Sequence, residues 1–63
     1  MQNDLKKIRE SKGMSISELA RKAGLSRQTI YNIEGDQDRV IDSKTMEDLA
    51  AALDEEVSKI FLF

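Results

Sequence analysis

The chain has no cysteine, no histidine and no proline. Without cysteine it can form neither a disulfide staple nor a thiolate metal site. Without histidine, acid–base work near neutral pH falls to carboxylates or lysines with strongly shifted pKa values. Such shifts need a depth of burial that a small core does not offer, so neither an enzyme, nor a bound metal, nor any other cofactor is expected. No apolar run approaches the roughly 18 residues of a membrane helix. The opening "MQNDLKKIRE" lacks the apolar centre of a signal peptide, and a cytoplasmic location with no membrane contact is the expectation. At 63 residues the chain reads as one domain, 1–63. A domain of that size buries only about 60% of its unfolded surface, which makes its stability marginal unless a partner adds to it.

Charge is what the sequence has, and it is unevenly placed. The overall balance is −2, yet residues 1–34 hold seven Lys/Arg against four Asp/Glu, and residues 35–63 hold three against eight. Local field steers binding more than net charge does, so an acidic partner for the first half is compatible with an acidic protein.

The apolar periodicity is helical throughout, and it predicts an all-α fold of five short helices. Asn3 can cap the first, which turns Leu5 and Ile8 inward and ends at Gly13. "SISE" at 15–18 is a capping box opening a second helix with Ile16, Leu19, Ala20 and Ala23 on one stripe. Gly24 suits the left-handed position at its end. Ser26 caps the third helix after the turn "GLS", and Gly35 closes it. "GDQDRVID" leads to a fourth helix starting after Asp42 or Ser43, with Met46, Leu49, Ala50 and Leu53 inward. A short fifth helix, capped by Asp54, carries Val57, Ile60 and Phe61; the closing "IFLF" is ambiguous between helix and strand.

The second and third helices have the layout of a helix-turn-helix. Ala20 is small where the third helix crosses, Gly24 accepts positive φ, and Ile30 and Ile33 hold the third helix to the core. In register with these, "LKKIRESKGMSISELARKAGLSRQTIYNIEGD" closely resembles the N-terminal part of Cro/cI-type phage repressors and their bacterial relatives, the XRE-like family. "TMEDLAAAL" and "VSKIF" resemble that family's fourth and fifth helices. The resemblance spans about residues 4–61. It implies a compact five-helix, lambda-repressor-like domain that binds double-stranded operator DNA, usually as a dimer, with the third helix (about 27–34) in the major groove.

Wound at 100° per residue, that helix puts Ile30 and Ile33 on one side and Gln28 and Asn32 nearly opposite, edged by Arg27, Tyr31 and Thr29. By resemblance, Arg27, Gln28 and Asn32 match the positions that contact base edges, with Tyr31 beside them. The chemistry agrees, since Arg pairs bidentately with guanine, and Gln or Asn with adenine. Ser15, Ser17, Arg21, Thr29 and Lys44 are the candidates for phosphate contacts, Lys44 aided by the N-terminus of the fourth helix. Arg9 and Glu34 match a partly buried ion pair of some relatives; Glu34 lies only about 40° from Ile30 on the wheel, near the core edge. Phe61, Leu62 and Phe63 are the candidates for a dimer interface, because one short helix cannot turn four consecutive apolar residues into one core.

The chain also departs from its relatives. Ile16 stands where many carry a glutamine that helps grip a phosphate. The loop after the third helix, often basic, here has three aspartates against one arginine and should repel DNA or stay away from it. Asp54-Glu55-Glu56 replaces the usual Gly-Val-Ser. The expected function is a sequence-specific transcriptional regulator, a homodimeric repressor of phage or bacterial type on a near-palindromic operator. The alternative is a protein-interaction module, such as an antitoxin or an inhibitor of another regulator, using the acidic half as its contact surface.

Overall fold

An asparagine near the start turns the chain into its first helix. Asn3 Oδ1 accepts the N–H of Leu5 at 3.1 Å, and α1 (Leu5–Ser11) follows. Asp4 rather than Asn3 occupies the N-cap position, and it makes no side-chain cap bond. The next three starts are as the sequence implies. Ser15 Oγ accepts from Glu18 N–H at 3.1 Å and opens α2 (Ile16–Ala23); Ser26 Oγ accepts from Thr29 N–H at 3.1 Å and opens α3 (Arg27–Gly35). Asp42 Oδ1 accepts from Thr45 N–H at 2.9 Å and opens α4 (Ser43–Leu53). Each satisfies one of the amides that a helix start leaves without a partner. The computed structural model describes residues 2–62 and the side-chain surroundings of residues 2–61.

The turn between α2 and α3 is closed by its backbone. Gly24, at φ 71°, lets its own N–H reach Arg21 O at 3.4 Å while Leu25 N–H reaches Ala20 O at 2.9 Å. These are the paired bonds of a Schellman ending. The same pair recurs at the end of α4, where Asp54 N–H bonds Ala51 O at 3.2 Å and Glu55 N–H bonds Ala50 O at 3.0 Å. Asp54 is therefore the left-handed end of α4, at φ 55°, and not the cap of the fifth helix. α5 (Val57–Ile60) begins at Glu56 without a side-chain cap.

The core lies where α2 packs against both α3 and α4, with α1 and α5 completing it. Leu5, Leu19, Ile30, Ile33, Leu49, Leu53, Ile60 and Phe61 are the large side chains wholly inside it. Ala20, 4% exposed, meets the requirement for a small residue beneath α3. Ile41, in the connection to α4, is buried as well and ties that loop to the core.

One feature adds to the all-α plan. β1 (Gln2–Asn3) pairs antiparallel with β2 (Phe61–Leu62), Asn3 opposite Phe61, and Asp4 N–H bonds Ile60 O at 2.7 Å. So short a ribbon has little stability of its own; it works by bringing the two ends together over the core. The ribbon resolves the ambiguity of "IFLF", because the chain leaves helix at Ile60 and Phe61 is extended, at φ −107° and ψ 119°. It also corrects the interface assignment of Phe61. That side chain is 0% exposed, packed in its own domain, and cannot serve a partner. The side chains of Leu62 and Phe63, assigned to the same interface, lie outside the described residues. Among the described residues no helix is long and apolar enough to cross a membrane.

The α4 cap gives a pH prediction. Hydrogen bonds with the Thr45 side chain and then its amide hold the Asp42 carboxyl below the ordinary carboxylate value of 3.8. A lowered folded pKa contributes stability above the unfolded value, and that contribution is lost as pH falls through the folded value. Asp42→Asn keeps an accepting oxygen but does not titrate, so its stability should decline less steeply than wild type below about pH 4. Thermal melts between pH 5 and pH 2 would show it; parallel acid limbs would place the acid sensitivity elsewhere.

Candidate nucleic-acid interface

α3 is fixed at its start, its middle and its end. Ser26 caps the start, and its hydroxyl also lies 2.8 Å from Thr29 Oγ1. Ile30 and Ile33, at 0% and 1% exposure, seat the middle. At the end, Arg9 Nε donates to Glu34 Oε2 at 2.8 Å and Arg9 Nη2 to Glu34 Oε1 at 3.1 Å. The third arm of the same guanidinium donates to Met14 O at 2.8 Å. Both side chains are under 10% exposed, 9% for Arg9 and 7% for Glu34. The hydrogen bond to Glu34 is also the main reason the Arg9 pKa is raised, against the opposing effect of burial. All three nitrogens are thereby engaged, and Arg9 anchors the helix.

A second clamp at the same end is not visible in the sequence. Asn3 Nδ2 donates to Ile33 O at 3.2 Å, and Asn3 N–H donates to Gln37 Oε1 at 2.7 Å. The ribbon that joins the chain ends thus also holds the last turn of α3. A helix pinned in this way presents its outer face with little freedom, as precise recognition requires.

That outer face carries the expected base-contact residues together. Arg27, Gln28, Tyr31 and Asn32 are all exposed, Tyr31 at 59%, opposite Ile30 and Ile33. Gln28 Nε2 donates to Asn32 Oδ1 at 3.0 Å. Among the described residues no ion pair engages Arg27, Arg21 or Lys22. Lys12 differs: its ammonium lies 3.1 Å from Glu55, which turns its charge toward the α4–α5 connection.

The expected phosphate contacts spread over three helices. Ser15, Ser17 and Arg21 are exposed on α2 and its cap, while Thr29 is half-buried on α3. Lys44 stands in the first turn of α4, with its ammonium 3.0 Å from Asp48. That bond is the main cause of its raised pKa, so it stays charged, and an exposed pair of this kind yields readily to a competing anion. A shallow groove of about 350 Å³, lined by Thr29, Val40, Ile41, Asp42 and Thr45 among others, sets Thr29 beside the start of α4.

The acidic loop lies nearer this face than the sequence suggests. Asp36 and Arg39 share a groove with Tyr31, Asn32 and Gly35. Asp36 also has a local task, since its Oδ1 accepts the N–H of Asp38 at 3.0 Å and bends the loop. Replacing Asp36 and Asp38 with lysine should raise affinity for all DNA sequences alike and steepen the salt dependence, because each added phosphate contact releases counterions. Binding titrations at several salt concentrations would measure it. An unchanged or weaker affinity would mean that the loop stays clear of DNA.

The helix-turn-helix family model matches residues 5–60. The chain belongs to that family and is a DNA-binding transcriptional regulator of the XRE type. A particular likeness among solved structures is the crystal structure of the restriction-modification controller protein C.AhdI from Aeromonas hydrophila, with a TM-score of 0.82 and 33% identity over 90% of this chain and 85% of that one. No curated protein matches.

Proposed function

We propose that this regulator binds a near-palindromic operator as a homodimer and reads it in the major groove with α3. Arg27, Gln28 and Asn32, flanked by Tyr31, meet base edges. Ser15, Ser17, Arg21, Thr29 and Lys44 meet the flanking phosphates. The observation that carries the reading is the two-sided α3: one face locked into the core by Ile30, Ile33 and the Glu34–Arg9 pair, the other a continuous exposed set of groups able to hydrogen-bond base edges. Two such helices in a dimer, about 34 Å apart, would read two half-sites separated by one DNA turn. The likeness to C.AhdI suggests a restriction-modification locus as the setting, which the neighbouring genes would reveal.

A random-oligonucleotide selection would supply the operator. On the selected site, Gln28→Ala and Asn32→Ala should each cost about 1–3 kcal/mol and relax base preference, with folding almost unchanged because both side chains face outward. Wild-type affinity and preference in both variants would sink the assignment of α3 as the reading helix.

A further inference from the structure

The bond between Gln28 and Asn32 divides their labour. Side chains on a helix lean toward its N-terminus, so Asn32 reaches back over one turn to meet the longer Gln28. An amide reads adenine through two adjacent atoms at once: its oxygen accepts from N6 and an N–H donates to N7. Each amide nitrogen carries two N–H groups, one beside its own oxygen and one on the far side. Gln28 can donate its far N–H to Asn32 Oδ1, the 3.0 Å contact seen here, and still present Oε1 and the near N–H as an intact reading edge. Asn32 is less well placed to do the same, because its oxygen already gives one of its two acceptor lone pairs to Gln28. Both donors on Asn32 Nδ2 remain wholly available.

We propose that the pair reads as one unit, in which Gln28 is the bidentate adenine reader and Asn32 is a positioning residue that holds it. The free Nδ2 of Asn32 donates to an acceptor on the adjoining base pair, such as guanine O6 or N7 or thymine O4. The proposal rests on α3 being the reading helix. It goes further in giving two chemically similar side chains unequal roles and in making the identity of one base pair depend on both.

The test is a base-preference profile rather than affinity alone, since a general loss of folding or grip would not change which base is chosen at one position. The selected operator is varied one base pair at a time and titrated with wild type, Gln28→Ala, Asn32→Ala, Asn32→Asp and the double alanine variant, each checked for wild-type helical circular dichroism. The expected wild-type preference for adenine at the Gln28 position is about tenfold or more. Asn32→Ala should weaken it at that position as well as at its own. Asn32→Asp still offers Gln28 an accepting oxygen but has no N–H, so it should keep the adenine preference, lose the preference at the adjoining pair, and bind more weakly on every sequence because of its charge. The double variant should lose less affinity than the product of the two single losses. If Asn32→Ala leaves the adenine preference intact and the losses multiply, the pairing is overturned while α3 remains the reader. If neither single alanine variant changes affinity or preference, the reading helix itself is wrong and the proposal goes with it.

Discussion

Arg9→Met should destabilise the domain by about 3–5 kcal/mol, the usual cost of removing one partner of a buried ion pair. A 63-residue domain has in all about 3–9 kcal/mol at the common 0.05–0.15 kcal/mol per residue, so the single variant should be largely unfolded at room temperature or close to it. The loss has two sources. Glu34, with its side chain 7% exposed, is left as a carboxylate without its two charge-assisted bonds. Met14 O also loses the donor 2.8 Å away. Pairing Arg9→Met with Glu34→Leu removes the stranded charge and offers apolar groups to the same space, so the double variant should be more stable than the single one. It should not recover fully, because Met14 O still lacks its donor, at about 1–3 kcal/mol if water does not reach it. Thermal or urea melts of wild type, both single variants and the double variant would close the cycle. Additive losses would show that the two side chains are not coupled.

The helical wheel by itself puts Glu34 at the core edge, whereas its partner Arg9 comes from the family resemblance. Apolar stripes, caps and glycine endings are local signals, legible in the residues alone, and they bring together Ala20, Gly24, Ile30 and Ile33 with the starts of α2, α3 and α4. What stays hidden in the sequence is non-local or chemically ambiguous. The contacts of Asn3 with Ile33 and Gln37 span 30 and 34 residues, and nothing in either stretch announces the other. The ribbon has two residues in each strand, too few for an alternating pattern. Asp54 misleads because aspartate favours both a helix cap and, among residues other than glycine, a left-handed position; the backbone bonds to Ala50 and Ala51 decide for the second. Asp36 and Asp38 count in the sequence only as charge, whereas Asp36 also shapes the loop. On the reading face the residue types and their spacing are clear from the sequence, but the Gln28–Asn32 bond is not, because one exposed amide can meet several partners and only the folded geometry selects among them.

The end of the chain separates folding from assembly, and two variants should show it. Phe61→Ala should cost about 3–5 kcal/mol, as expected for an aromatic side chain deleted from a packed core, and should unfold much of the population. Phe61 is 0% exposed, stands opposite Asn3 in the ribbon, and follows Ile60, whose carbonyl accepts from Asp4 N–H at 2.7 Å. Its loss would therefore loosen the ribbon through which Asn3 holds α3, and DNA binding should fail along with stability. The homodimer interface is therefore proposed at Leu62 and Phe63 together with α5, rather than at Phe61. Replacing Leu62 and Phe63 together with serine should leave the helical circular dichroism intact yet give a monomer in light scattering. It should also lower the melting temperature at high protein concentration, because association of folded chains stabilises them by mass action. Operator binding should fall sharply, since one copy of α3 reads only half of a palindrome. A dimer that survives the double serine change would place the interface elsewhere, and a wild type that is monomeric at high micromolar concentration would overturn the proposed homodimer. A Phe61→Ala variant that folds as well as wild type would overturn the assignment of Phe61 to the core.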